Sequence, residues 1–311
     1  MAVKWGRLCS GVWLAVVIAA FWWAALWPVA RRVGAWGAAP QEAKRLLRRG
    51  KTDERQVVLV IENGAYQAAR PLAGGRTGQV WESPAGIRLV WIPPGEFVMG
   101  SNNGDDDEKP VHRVRITRGF WLGETEVTQR QWEAVMGKNP SVFKDCPACP
   151  VENVSWEDCQ RFVSELNTRY PVGGGLVWRL PHEAEWEYAC RAGTRGDYYS
   201  GDGEALLGAL GWYWENSGGR THPVKRLRAN GWGLYDMHGN VWEWCEDWYG
   251  KDYYRISPVD DPRGPGSGEE RVLRGGSWSS SAGRCRAAHR LFVAPLKRSN
   301  SLGLRVVVGA P

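Results

Sequence analysis

Apolar and polar positions along this chain follow two rhythms, one helical and one extended. Residues 87–93 (IRLVWIP) form a continuous apolar run, which predicts a buried strand. Pro94-Gly95 turns that run into a second strand, Phe97-Val98-Met99-Gly100-Ser101. Residues 111–116 alternate like a strand, and Phe120-Trp121-Leu122 follow as another. The period then changes. Thr128 is placed to cap a short helix over 129–136, with Trp132 and Met136 on one face. Ser155, with Asp158 three positions on, predicts the start of a second helix striped by Cys159, Phe162, Val163 and Leu166. Leu180-Pro181 opens a third, over 182–191, carrying Trp186 and Cys190 together. Upstream, residues 56–61 (QVVLVI) read as a strand, and residues 65–80 as turns.

Near the C-terminus two strand-like runs, 271–273 and 302–308, frame a long insert with almost no periodicity. RGGSW opens it at Arg274, and Cys285-Arg286-Ala287-Ala288 interrupts it. Between these words the residues are mostly small or uncharged, with the apolar triplet Leu291-Phe292-Val293 among them. A structureless loop this long is usually functional or a misread element. An apolar triplet there is either a plug buried under the loop or a displayed binding surface.

Residues 8–30 carry no charge and are long enough to cross a bilayer, with Trp22, Trp23 and Trp27 suited to its interface. They predict a single-pass, membrane-anchored protein, the competing reading being a cleaved signal peptide. Residues 31–84 then form a basic tether, and a domain occupies 85–311. Which side of the membrane that domain faces stays open. The excess behind the net charge of +6 sits near the N-terminus, where Arg31, Arg32, Lys44, Arg45, Arg48, Arg49, Lys51 and Arg55 cluster against three acids. A membrane surface explains that cluster more economically than nucleic acid, so no nucleic-acid partner is expected. Twenty Trp beside 39 Gly and 18 Pro point to a loop-rich fold held by large rings. The acidic loop at 102–108 lacks EF-hand spacing and reads as solvated. Cys146 and Cys149, with Cys159 and Cys190 downstream, admit a zinc site, a local disulfide between the first two, or buried thiols.

Residues 230–249 (NGWGLYDMHGNVWEWCEDWY) alternate glycine turns with tryptophans, and Asp236 and Glu243 bracket Gly239-Asn240-Val241. Two carboxylates around a tight turn supply part of a calcium shell, or else serve as ordinary ion-pair partners.

With that stretch, residues 85–101, 125–132, 150–156 and 179–194, then RVLRGGSW, a Cys-Arg pair and LGLRVV, resemble the formylglycine-generating enzyme (sulfatase-modifying factor) family in order and wording. The resemblance implies an α+β, C-type-lectin-like, loop-rich domain. It also implies structural Ca²⁺ held by the Asp236 side chain, the Gly239 and Val241 carbonyls, and Glu243. A second family calcium site falls near Asn216, without placeable partners. Enzymatic members oxidise a substrate cysteine with copper held by two thiolates five positions apart. Here those positions are Ser280 and Cys285, and Ser277 retains the family serine. One thiolate does not hold cuprous ion in that way, so copper is not expected and these residues read as vestigial. Cys285 is then a buried thiol, or a disulfide partner of Cys190.

The chain also resembles the variable proteins of diversity-generating retroelements, which display rewritten side chains on this fold. That implies a non-catalytic protein whose loop 279–301 binds another protein of unknown identity. The ligand-binding positions would be Trp278, Ser279, Ser280, Ser281, Gly283, His289, Leu291, Phe292, Val293, Ala294, Leu296, Ser299, Asn300 and Ser301. An oxidase with altered metal ligation is the alternative.

Overall fold

The computed structural model describes residues 75–311 and two short strands ahead of them, β1 (Val60–Glu62) and β2 (Ala65–Gln67). These two pair antiparallel with each other, in a unit distinct from the one beginning at Arg70. The expected membrane segment and most of the basic tether lie outside the described residues. Among those described, no helix is long and apolar enough to cross a membrane.

The larger unit mixes helices with small sheets. A five-stranded sheet has the order β3 (Val80–Glu82), β4 (Arg88–Ile92), β7 (Phe120–Gly123), β13 (Val307–Gly309), β8 (Val177–Arg179), antiparallel throughout. Its central strands are buried almost end to end, which explains their unbroken apolar runs. Strands β5 (Gly95–Met99) and β6 (His112–Ile116) form a hairpin. A four-stranded sheet runs β11 (Leu291–Val293), β10 (Arg271–Arg274), β9 (Trp242–Trp248), β12 (Leu302–Gly303), with β12 parallel to β9.

The helices are α1 (Gln129–Met136), α2 (Trp156–Arg169) and α3 (Glu183–Arg191). Thr128 and Ser155 cap the first two through reciprocal boxes with Gln131 and Asp158, as their spacing predicts. His182 lies one residue outside α3, where its N–H donates to Glu185 at 2.9 Å. Several tryptophans act as core girders whose polar tips find acceptors, whereas the buried Trp121 and Trp212 Nε1 atoms have none among the described residues. Trp244 Nε1 donates to the Val154 carbonyl at 3.1 Å and Trp178 Nε1 to Tyr170 at 2.9 Å, while Trp132 stacks on Phe162 at 4.9 Å.

Two expectations change in the C-terminal segment. The run 302–308 is not one strand: β12 and β13 lie in different sheets, and the turn between them buries Arg305 completely. The insert it follows is not structureless. It contains a 3-10 turn, Ala282–Cys285, and the edge strand β11 paired to β10.

Candidate functional site

The segment 275–301 starts where RGGSW leaves β10. Gly275 and Gly276 have φ of 98° and 82°, and a Cβ on Gly276 would lie 2.4 Å from the Cys285 sulfur. Only glycine fits so close an approach. Three arginines then nail down the words between the variable-looking clusters. Arg274, fully buried, pairs with Glu187 and Glu183 and donates to the Ala287 and Ala288 carbonyls at 2.7 and 2.9 Å. Arg286 grips Glu108 bidentately at 2.6 and 2.8 Å. Arg290 grips Glu183 at 2.7 and 2.8 Å. Between Arg274 and Arg286, Ser279, Ser281 and Arg284 are left facing outward, and beyond Arg290 so are Phe292, Ala294 and Leu296.

Of the predicted ligand-binding positions, Ser279, Ser281, Phe292, Ala294 and Leu296 are exposed. Trp278, Gly283, Leu291, Val293, Ser299, Asn300 and Ser301 are half-buried. Trp278 is braced by Phe143 edge-on at 5.3 Å, and its Nε1 donates to the Asn300 carbonyl at 2.9 Å, tying the two ends of the segment together. Two positions do not join the surface. Ser280 is 5% exposed because its hydroxyl turns inward to Ser277, accepting from the Ser277 N–H at 3.0 Å. His289 is 9% exposed because its Nδ1 sits 3.3 Å from Asp105 and 3.7 Å from Glu108. The apolar patch expected over 291–293 is also divided. On an edge strand side chains alternate, so Phe292 faces outward, stacked on Tyr249 at 3.7 Å, while Leu291 and Val293 pack towards the core.

The cysteines separate cleanly. Cys146 and Cys149 form a disulfide, which removes two thiolates from any zinc tetrad. Cys159, Cys190, Cys245 and Cys285 are free and buried, so the Cys190–Cys285 bridge is not made. Cys190 Sγ instead lies 3.9 Å from His238 Nε2. Burial pushes the Cys285 thiol up to about 12, so it stays protonated at neutral pH.

Below segment 275–301 lies the acidic turn. Asp236, Gly239 and Asn240 take φ of 56°, 92° and 60°. Backbone bonds run from Gly239 N to Gly275 O (2.7 Å) and from Trp278 N to Asn240 O (2.8 Å), so this turn is the footing of RGGSW. Glu243, on β9, receives Arg305 through its Nε and Nη2 atoms and Trp186 Nε1 at 2.7 Å. Asp236 Oδ2 accepts the Lys225 N–H at 2.7 Å, and its buried Oδ1 has no partner among the described residues. Burial pushes Asp236 up to about 6. Sequence reasoning missed two members of this site, Glu126 and Arg305, both fully buried. Glu126 accepts from Val241 N and Asn240 Nδ2 at 3.3 and 3.2 Å. Burial, then Asp236 and Glu243, hold its carboxyl well above the usual range.

Residues 80–310 match the sulfatase-modifying factor enzyme 1-like domain. The formylglycine-generating enzyme of Streptomyces coelicolor is 34% identical over 302 residues, spanning 78% of this chain and 95% of that protein. Among solved structures, Treponema denticola variable protein 1 aligns with a TM-score of 0.67 at 32% identity, over 74% of this chain and 98% of that one. PvdO from Pseudomonas aeruginosa aligns with a TM-score of 0.67 at 25% identity, over 76% and 99%.

Proposed function

Because this chain belongs to the sulfatase-modifying factor enzyme 1-like family, we propose that it uses the family scaffold to bind a protein ligand through residues 278–301, without performing cysteine oxidation. The observation that carries this reading is Ser280. A hydroxyl bonded to Ser277 stands where copper chemistry needs a second thiolate, and the remaining Cys285 is buried and protonated. The structural likeness to a variable protein supports the binding half of the reading. Its mechanism is burial of Phe292 and Leu296 as apolar contacts, with Trp278 as a rigid ring and Ser279, Ser281 and Asn300 as adaptable hydrogen-bonding groups. Likeness to an enzyme that generates formylglycine keeps oxidation by altered ligation as the second reading.

A structural calcium ion fits the acidic turn, where Asp236 Oδ1 is buried and unpartnered among the described residues. Asp236, the Gly239 and Val241 carbonyls and Glu243 would hold it, and it would supply positive charge that stiffens the footing of RGGSW. Residues 8–30 would tether the domain to a membrane as a single span. The functional test is incubation of the purified chain with copper and a peptide of CxPxR type. Unchanged peptide thiol is expected; conversion to an aldehyde would establish the oxidase reading instead.

A further inference from the structure

We infer that the Cys146–Cys149 disulfide is a thiol–disulfide exchange site for a dithiol reductant, with Cys146 as the sulfur attacked. Its state sets how firmly Trp278 is braced, and the exchange does not depend on what residues 278–301 bind. The bridge joins two residues of one turn, three positions apart. That turn is already closed by the Cys149 N–H, which donates to the Cys146 carbonyl at 2.9 Å. A bridge over so short a separation removes little chain entropy from the unfolded state and ties no distant segments together. Cys-x-x-Cys is also the spacing that exchange chemistry uses.

The two sulfurs differ in access. Cys146 is half-buried among the exposed Lys144, Asp145, Pro147 and Ala148, whereas Cys149 is 1% exposed. Cys159, Cys190, Cys245 and Cys285 are free and wholly buried, so among the described residues an external thiol meets Cys146 first. One reductant thiolate attacks Cys146 Sγ, forming a mixed disulfide and expelling Cys149, which takes up a proton. The second reductant thiol then attacks the reductant sulfur of the mixed disulfide and releases Cys146 as a thiol. Two electrons and two protons pass to the protein, and the dithiol leaves as a disulfide.

The turn is a hub of backbone bonds. Its Cys149 and Pro147 carbonyls accept the Gln129 and Arg130 N–H groups at 2.9 and 3.0 Å, satisfying two donors at the start of α1. Its Ala148 carbonyl accepts the Val224 N–H at 3.0 Å. Nearby, His222 exchanges bonds with the Asn240 side chain at 3.0 and 3.2 Å, and the Asn240 carbonyl accepts the Trp278 N–H at 2.8 Å. From the other side Phe143 stands edge-on to the Trp278 ring. Opening the bridge loosens both supports.

The test treats the full wild-type chain with dithiothreitol under native conditions, labels thiols with N-ethylmaleimide, and follows amide hydrogen exchange by mass spectrometry. Among the described residues, labels are expected on Cys146 and Cys149 alone. Exchange at the Val224 and Trp278 amides is expected to rise about tenfold or more, with Phe162 and Val163 in α2 unchanged. A bridge left intact by dithiothreitol would overturn the exchange site. A reduced bridge without faster exchange at Val224 and Trp278 would overturn its hold on Trp278. A rise that extends to Phe162 and Val163 would mean the bridge merely holds the fold, against the proposal. The direction of attack is read from two variants given 5,5′-dithiobis(2-nitrobenzoate). Cys149→Ser is expected to react through Cys146 about tenfold or more faster than Cys146→Ser does through Cys149; equal rates contradict attack at Cys146. The reduction experiment needs no substitution, so it decides the proposal even where a variant fails to fold.

Discussion

Two buried acidic clusters lie against the same C-terminal segment, and they are balanced differently. In one, Glu183, Glu187 and Glu108 meet Arg274, Arg290, Arg286 and Arg191, with carboxylate and guanidinium paired throughout. In the other, Glu126, Asp236 and Glu243 share only Arg305. The first cluster is complete as protein and fixes the framework words CRAA and Arg290 from within. The second is short of positive charge and supports the footing of RGGSW. One side of the segment is thus held by paired charges, and the other carries more buried acid than guanidinium.

Breaking the balanced cluster should produce the largest effect. Arg274→Met leaves Glu187 and Glu183 underpaired and is expected to lower unfolding free energy by about 3–5 kcal/mol in a urea melt, with or without calcium. Adding Glu187→Leu should recover part of that loss; no recovery would mean Arg274 acts through its bonds to Ala287 and Ala288 instead. Chelation should act on the other cluster. At calcium a hundredfold above Kd, its removal is expected to cost about 2.7 kcal/mol and to leave secondary structure intact by circular dichroism.

Glu152 sharpens the contrast as a lone case. Its carboxyl is buried, Oε1 accepts the Phe143 N–H at 2.8 Å, and Oε2 has no partner among the described residues. Burial raises it to about 7. The folded state therefore keeps a proton that the unfolded chain releases near the ordinary carboxylate value. The resulting stabilisation is complete below that value and is lost as pH rises towards about 7. Glu152→Gln should flatten the stability–pH curve over this window and melt higher than wild type at pH 8. A curve that keeps its slope in the variant assigns the titration elsewhere.

Exposed positions of segment 275–301 should matter least to the fold. Ser279→Ala and Ala294→Ser are expected to change stability by less than about 0.5 kcal/mol, while Phe292→Ala, which loses the Tyr249 stack, costs about 0.5–1.5 kcal/mol.

Local chemistry made much of this legible from sequence. Thr128 and Ser155 mark helix starts because a cap needs only its own first turn, and RGGSW marks a turn because its glycines must take positive φ. Asp236 and Glu243 were findable because both flank one glycine turn. Glu126 and Arg305 were not. Nothing local distinguishes them, and their meaning arises only when segments 114 or more residues from Asn240, or 62 from Glu243, are brought together. The same limit hid the inward rotation of His289, since its partners Asp105 and Glu108 lie far away in the chain.

The most direct test of the central claim is a cuprous-ion titration of the purified chain under anaerobic, reducing conditions, beside the Ser280→Cys variant. Wild type is expected to take up no copper through Cys285, and the variant, with two thiols, to bind one ion per chain. Stoichiometric binding by wild type, lost on Cys285→Ser, would contradict the account.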